Sequence, residues 1–289
     1  MFTAFDNTEA FRFCVDQRRK TPDEQYQTKD LLFFLKRNPM KRLATYSVAL
    51  LGLLAGQFCL TSCQNTDQRD IRDFYYPMRS LEDGTVYEYR SPTIDSLTPA
   101  YWYHRSFIQD EGVYLTSTYY EHKLEPLQLV KEEMVSNGML VQDVFLYAPS
   151  DSTGRQDRIE VEVLQGAAFP FSVSDSSGVF LYKVRWSPPQ DSGAIYTVTK
   201  NRRYTGDTIV NIFGKEREAV VFQVKELLEY DKNGVFEKQY GGQEVYAWGI
   251  GLVYYSKTVD EQMSWDYALV DRYPMDTLEQ QFKQQLNLE

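Results

Sequence analysis

The chain has 289 residues, 43% hydrophobic and 25% charged, a balance that fits a globular protein and excludes a disordered or collagen-like one. Its net charge of −10 argues against a nucleic-acid partner held through phosphate contacts. Three cysteines are too few for a disulfide framework, and two histidines leave little for a histidine-based metal or acid–base centre.

Residues 1–39 carry the basic cluster Arg18-Arg19-Lys20 and an apolar patch from Leu31 to Leu35. Met40 then opens a different pattern. Lys41 and Arg42 precede an uncharged apolar run over residues 43–59, which ends in Leu60-Thr61-Ser62-Cys63. A basic start, an apolar centre and small residues before a cleavage point make a secretory signal peptide. Its last four residues resemble the lipobox of bacterial lipoproteins. The resemblance implies that residues 40–62 are removed and that Cys63 receives a thioether-linked diacylglycerol. Several acyl chains at one N-terminus make attachment effectively permanent. A transmembrane helix over 43–60 is the competing reading, but the run falls short of the roughly 20 apolar residues a bilayer needs. It also contains Thr45, Ser47 and Gln57.

Met40 is therefore read as the start and residues 1–39 as an extension upstream of it, with a short cytoplasmic arm as the alternative. Cleavage takes 9 basic and 6 acidic residues from totals of 31 and 41, leaving 22 and 35 and a net charge of −13. Gln64 follows Cys63 where an aspartate would imply retention at the inner membrane. The same resemblance thus implies the outer membrane, with the periplasmic or surface face left open.

Residues 63–73 are polar and read as a tether, and 74–289 as a single β-rich domain. Alternating apolar and polar residues predict strands over 85–90, 101–107, 113–121, 127–135, 139–147, 158–164, 180–186 and 196–202. Further strands are predicted over 208–212, 219–230, 236–239, 244–248, 252–259 and 265–272. Asp110-Glu111-Gly112 is a hairpin-like break, and Asn137-Gly138 is the stronger hairpin signal, since Asn and Gly both tolerate positive φ. At the C-terminus, Leu278, Phe282 and Leu286 lie four apart, and Asp276 with Glu279 predicts a capped terminal helix. No βαβ rhythm is present, so the fold class is all-β and antiparallel.

Two segments resemble envelope proteins more widely. Phe74-Tyr75-Tyr76-Pro77 followed by Gly84–Tyr89 is similar to the opening of many Bacteroidota lipoproteins. Tyr246-Ala247-Trp248-Gly249-Ile250-Gly251-Leu252-Val253 is similar to a segment of curved-sheet, LolA-like periplasmic proteins. That resemblance implies a strongly curved sheet, a half-barrel or open barrel, wrapped around a helix. Gly249 and Gly251 are expected at a bend with Trp248 packed nearby; a dinucleotide fingerprint would need a following helix.

Paired tyrosines stand out, and strand alternation sends one ring of each adjacent pair inward and one outward. Tyr101, Tyr103, Tyr119, Tyr120, Tyr254 and Tyr255 are the candidate contacts for a lipid, a peptide or a partner protein; rim packing is the alternative. No catalytic or metal site and no cofactor is expected. His104 and His122, with Glu121 and Asp110, read as polar strand residues before they read as ligands. Asp151–Gly154 and Asp175–Gly178 read as solvated turns. Glu132 and Glu133 should face opposite sides of a strand.

The expected function is a non-catalytic envelope lipoprotein, held to the membrane by its N-terminal lipid, that binds an apolar or extended ligand or a partner protein on its sheet. The alternative is a structural or assembly subunit without a ligand pocket. A hydrolase using carboxylates such as Asp266 or Asp271 comes third. A deep apolar concavity would favour the first, and converging buried carboxylates the third.

Overall fold

The computed structural model describes residues 68–120, 124–149, 156–174, 178–191, 193–260 and 263–286. Cys63, His122, Glu121 and the turns at 150–155 and 175–177 lie outside them.

The alternating segments form the strands β2 (Thr85–Arg90), β3 (Ala100–Gln109), β4 (Gly112–Tyr120), β5 (Pro126–Val135), β6 (Gly138–Pro149) and β7 (Gln156–Pro170). Then follow β9 (Phe180–Trp186), β10 (Ile195–Ile212), β11 (Lys215–Asp231), β12 (Val235–Ala247), β13 (Gly251–Thr258) and β14 (Ser264–Tyr273). The all-β, antiparallel reading is borne out. Two pairs of predicted strands are single long ones: β10 joins 196–202 to 208–212, and β12 joins 236–239 to 244–248. Glycines hid the continuity. Gly206 marks a bulge with φ of +138°, and Gly241-Gly242 continue the ladder with β13.

The expectation of an open or half-barrel is corrected. β14 returns to pair with β2 (Tyr273 with Val86, Arg272 with Tyr87), so twelve strands close into a barrel. Closure satisfies the edges that an open sheet would leave exposed. The remaining short strands, β1 (Arg69–Asp70) and β8 (Ser172–Val173), pair with each other at one end of the barrel. Chain order is therefore already established at Arg69, inside the stretch read as a tether.

From β1 the chain runs through two 3₁₀ turns, Arg72–Phe74 and Met78–Leu81. It buries Ile71, Phe74, Tyr75, Tyr76 and Leu81 in this end of the barrel. The terminal helix α1 (Met275–Leu286) is present but sits outside the wall rather than inside the curve. Leu278 and Phe282 pack on Val86, Tyr101 and Tyr273, which face away from the interior residues Tyr87, Tyr89 and Trp102. Asp276 is the second residue of the helix, not its cap.

Both hairpins form, but the positive φ values lie at Asp110 (+49°) and Glu111 (+66°), not at Asn137 or Gly138. The β5–β6 turn is instead centred on Ser136-Asn137, because Val135 pairs with Gly138. Gly138 has a packing reason. A Cβ there would lie 2.5 Å from the Phe169 carbonyl oxygen.

Outward positions are charged or polar, as at Arg158, Glu160 and Glu162 on β7 and Gln223 and Lys225 on β11. Inward positions are mostly aromatic or aliphatic, with a few paired charges among them. That is the reverse of a membrane-spanning barrel, whose outer band is apolar and whose lumen is polar. No helix among the described residues is long and apolar enough to cross a membrane.

Candidate functional site

Aromatic rings fill most of the interior. Tyr75 meets Phe169 at 4.8 Å and Tyr76 meets His104 at 4.2 Å between ring centroids. Trp102 packs on Tyr119 at 5.2 Å, and Tyr255 stacks on Tyr267 at 5.2 Å. Buried hydroxyls find backbone acceptors: Tyr87 donates to the Ile250 carbonyl and Tyr89 to the Leu252 carbonyl, both at 2.9 Å.

Six charged side chains share this interior. On β10 the inward set is Tyr196, Val198, Lys200 and Arg202; on β11 it includes Val224, Glu226 and Leu228. Glu244 comes from β12, Lys257 from β13 and Glu132 from β5. The signs balance, three acids against three bases. Glu244 is the hub: Arg202 Nε donates to its Oε2 at 2.7 Å and Lys200 Nζ to its Oε1 at 2.8 Å. Tyr246 Oη adds a bond to Oε2 at 3.0 Å. Lys257 Nζ meets Glu226 Oε1 at 2.8 Å, and Tyr75 Oη donates to Glu132 Oε2 at 2.5 Å.

Burying unpaired charge costs several kcal/mol per ion, so the pairing is a requirement of the fold. Burial works against ionising Glu244, yet Arg202 and Lys200 beside it hold its carboxyl well below the usual range. Burial raises Glu132, and it raises Glu226 to about 7. Burial also lowers Lys257 well below the ordinary lysine range. The cavity beside Lys257 and Glu226 measures only about 20 Å³, room for about one water. Buried carboxylates therefore do converge, but each has a cation or a tyrosine against it, and this cavity is too small for a substrate.

Glu226 makes stability depend on pH. Its folded value of about 7 exceeds the ordinary 4.5, so the native state takes up a proton first as pH falls. The contribution is complete below pH 4.5 and is lost as pH rises through 7. A shift of this size corresponds to at most about 3 kcal/mol. Denaturant unfolding at pH 5 and pH 8 should show the native protein losing stability at the higher pH relative to Glu226→Gln. Parallel profiles for the two proteins would reject the assignment.

The candidate tyrosines divide among three environments. Tyr119 and Tyr255 point into the packed interior. Tyr101, Tyr103 and Tyr120 face outward but lie against the helix seat with Leu278 and Phe282. Tyr254 is half-buried on the outer wall, 3.4 Å from Asp266 Oδ2. The alternation expected of adjacent pairs holds for Tyr119-Tyr120 and Tyr254-Tyr255. It fails for Tyr75-Tyr76, which lie in the entry segment outside any strand and are both buried.

His104 is a core residue. Its Nδ1 lies 2.8 Å from Ser117 Oγ, and burial lowers its pKa to about 3. Among the described residues no cluster of potential metal ligands occurs. Glu132 and Glu133 do face opposite sides, the latter accepting from Gln142 Nε2 at 2.6 Å. Asp266 and Asp271 sit on the outer wall near opposite ends of β14. Asp266 accepts from Thr93 Oγ1 at 2.5 Å and Asp271 from the Arg272 amide at 2.7 Å.

Open volume lies at the end where the chain enters. A groove of about 360 Å³ is lined by Tyr75, Tyr76, Met78, Met134, Phe171 and Trp248. A second, of about 450 Å³, lies between Leu81, Tyr87, Phe213, Asp271 and Arg272. Trp248 is 52% exposed, so the expectation that it packs beside the glycine bend is corrected.

No family model matches the chain, and no curated protein matches it. Similar chains do occur among solved structures. One, a lipoprotein by name from Parabacteroides distasonis, is 10% identical, with 69% of this chain and 98% of that one covered at a TM-score of 0.45. Another, from Bacteroides fragilis and described as an exported protein with a YmcC-like fold, is 11% identical; 69% of this chain and 99% of that one are covered at 0.44. The hypothetical lipoprotein YmcC of Escherichia coli is 12% identical, with 67% and 87% covered and a TM-score of 0.28.

Proposed function

We propose that this chain is a non-catalytic envelope lipoprotein, acylated at Cys63 and held at the outer membrane, whose barrel serves as a structural or assembly subunit. The observation that carries this reading is the filled interior. Rings and paired charges occupy the space a carrier of apolar ligands would keep open, and the cavity among the charges holds about one water. Contact with other molecules then falls to the outer surface, where a partner protein is the natural counterpart of a rigid, charged wall.

Replacing Cys63 by Ala should leave an unprocessed chain that no longer takes up radiolabelled palmitate; persistent labelling would refute the lipobox reading. Mass spectrometry after gentle detergent extraction addresses the second half of the proposal. A protein companion in fixed ratio with no bound small molecule is the expected result. An apolar molecule bound one-to-one would overturn it.

A second reading has one observation in its favour. The groove of about 360 Å³ has the size and apolar lining of small-ligand sites. Loss of such a ligand in Trp248→Ala would place it there.

A further inference from the structure

The end of the barrel that receives the chain exposes Trp248, Phe213 and Ile209, whereas Val235, Phe236 and Met263 are exposed at the opposite end. Trp248 sits in the β12–β13 turn, where its amide donates to the Glu218 carbonyl at 2.9 Å. Its own carbonyl accepts from Arg217 Nη1 at 3.4 Å, which ties the turn to the base of the β10–β11 hairpin. That hairpin runs past its neighbours. β10 pairs with β9 only as far as Arg202, and β11 pairs with β12 only from Ala219 onward. Residues 203–218 thus form a two-stranded arm beyond the wall. Its tip, Phe213-Gly214, has φ of +54° and +73°. Phe213 is 47% exposed and Ile209 68%. Rather than standing free, the tip brings the Phe213 ring to 5.5 Å from the Arg272 guanidinium on β14, across the barrel end.

The covalent path limits where this end can go. Arg69 is the first residue of β1, six residues after Cys63. Six residues reach at most about 20 Å when fully extended. A lipid on Cys63 therefore keeps Arg69 within about 20 Å of the bilayer surface. The entry segment is tied to the rest of this end, Arg69 pairing with Asp207 of the arm and the Asp73 carbonyl accepting from the Gly249 amide beside Trp248. Tryptophan settles at the headgroup level of membranes, phenylalanine inserts at the boundary between headgroups and acyl chains, and arginine and lysine stems reach from there to phosphate oxygens.

We infer that this end of the barrel rests on the phospholipid surface that holds the anchor, with Trp248 among the headgroups and Phe213 at their boundary with the acyl chains. Arg72, Arg79 and Lys215 lie on the segments beside them as phosphate partners. Acidic residues, Asp73, Asp83, Glu216, Glu218 and Asp271, share these segments, so the contact depends on aromatic insertion rather than on net charge. The inference rests on acylation of Cys63, which supplies the orientation. It also leaves the lateral wall and the opposite end for a partner.

The test uses the mature protein acylated at Cys63, residues 63–289, reconstituted in phosphatidylethanolamine–phosphatidylglycerol vesicles whose acyl chains carry bromine near the glycerol. Trp102, Trp186 and Trp265 are buried, so the difference in emission between the native protein and Trp248→Phe isolates Trp248. Brominated lipid should quench most of that difference, and raised salt should not restore it. Emission unchanged by bromine in a protein shown by mass to be acylated would overturn the inference while leaving the anchor intact. A protein that carries no lipid would overturn the anchor itself. Quenching abolished by salt would mean purely electrostatic attachment and would also overturn it. So would Trp248 shielded from bromine but cross-linked to a protein companion, because this end would then be a protein interface.

Discussion

Glu244→Ala is expected to lower stability by about 3–5 kcal/mol, the range for breaking a buried ion pair from one side. Removing this carboxylate leaves the Arg202 guanidinium and the Lys200 ammonium, at 0% and 4% side-chain exposure, without their shared counter-charge. It also removes the acceptor of the Tyr246 hydroxyl. Such a loss approaches half of the 5–15 kcal/mol that holds a typical domain together. The control is a triple change, Lys200→Met, Arg202→Met and Glu244→Leu, which replaces the charges by apolar groups of similar volume. Because the Coulomb gain of a buried pair is largely offset by desolvation, the triple variant should recover most of the loss. Urea unfolding followed by circular dichroism compares the three proteins. A Glu244→Ala protein within about 1 kcal/mol of the parent would mean that water reaches the network, and the sealed interior would have to be abandoned.

The second large effect is expected at Gly251. Its φ is +103°, and a Cβ there would lie 2.5 Å from Cδ1 of Tyr76, itself buried against His104. Gly249 has φ of +69° with open space around it. Backbone strain at either site costs on the order of 1–3 kcal/mol for a β-branched residue. Gly251→Val adds overpacking of roughly 1–3 kcal/mol, since the new side chain must displace the Tyr76 ring from its packing on Tyr87 and His104. Gly251→Val should therefore melt well below Gly249→Val, and both below the parent. Equal melting temperatures for the two variants would show that Tyr76 does not seal the bend. Ala at Gly251 tests the same point, because it adds the clashing Cβ with the least bulk.

Much of the fold was legible in the residues because strand and turn chemistry is local. A period of two over six or seven residues marks a strand wherever it occurs, and the terminal helix followed from Leu278 and Phe282 on one face. The bend at Gly249 and Gly251 was legible for the same reason. The six interior charges left a readable trace that went unused. Lys200 and Arg202 share the parity of Tyr196 and Val198, Glu226 that of Val224 and Leu228, and Glu244 that of Tyr246. A charge in phase with apolar neighbours on a strand signals an inward ion pair.

By itself, then, the sequence determined an all-β antiparallel chain with a terminal helix, together with a signal-like segment and a lipobox-like tetrad that ends at Cys63. Only the tertiary structure decided closure, the filling of the interior and the outside position of the helix. Closure depends on β14 meeting β2, residues about 180 positions apart whose mutual register no local pattern encodes. Charge pairing depends on β10, β11, β12 and β13 bringing side chains together inside the barrel. Tyr101 looked available for a ligand as one of the clustered tyrosines; α1, about 180 residues later in the chain, covers it. Each of these facts joins residues that are far apart along the chain, and folding alone makes them neighbours.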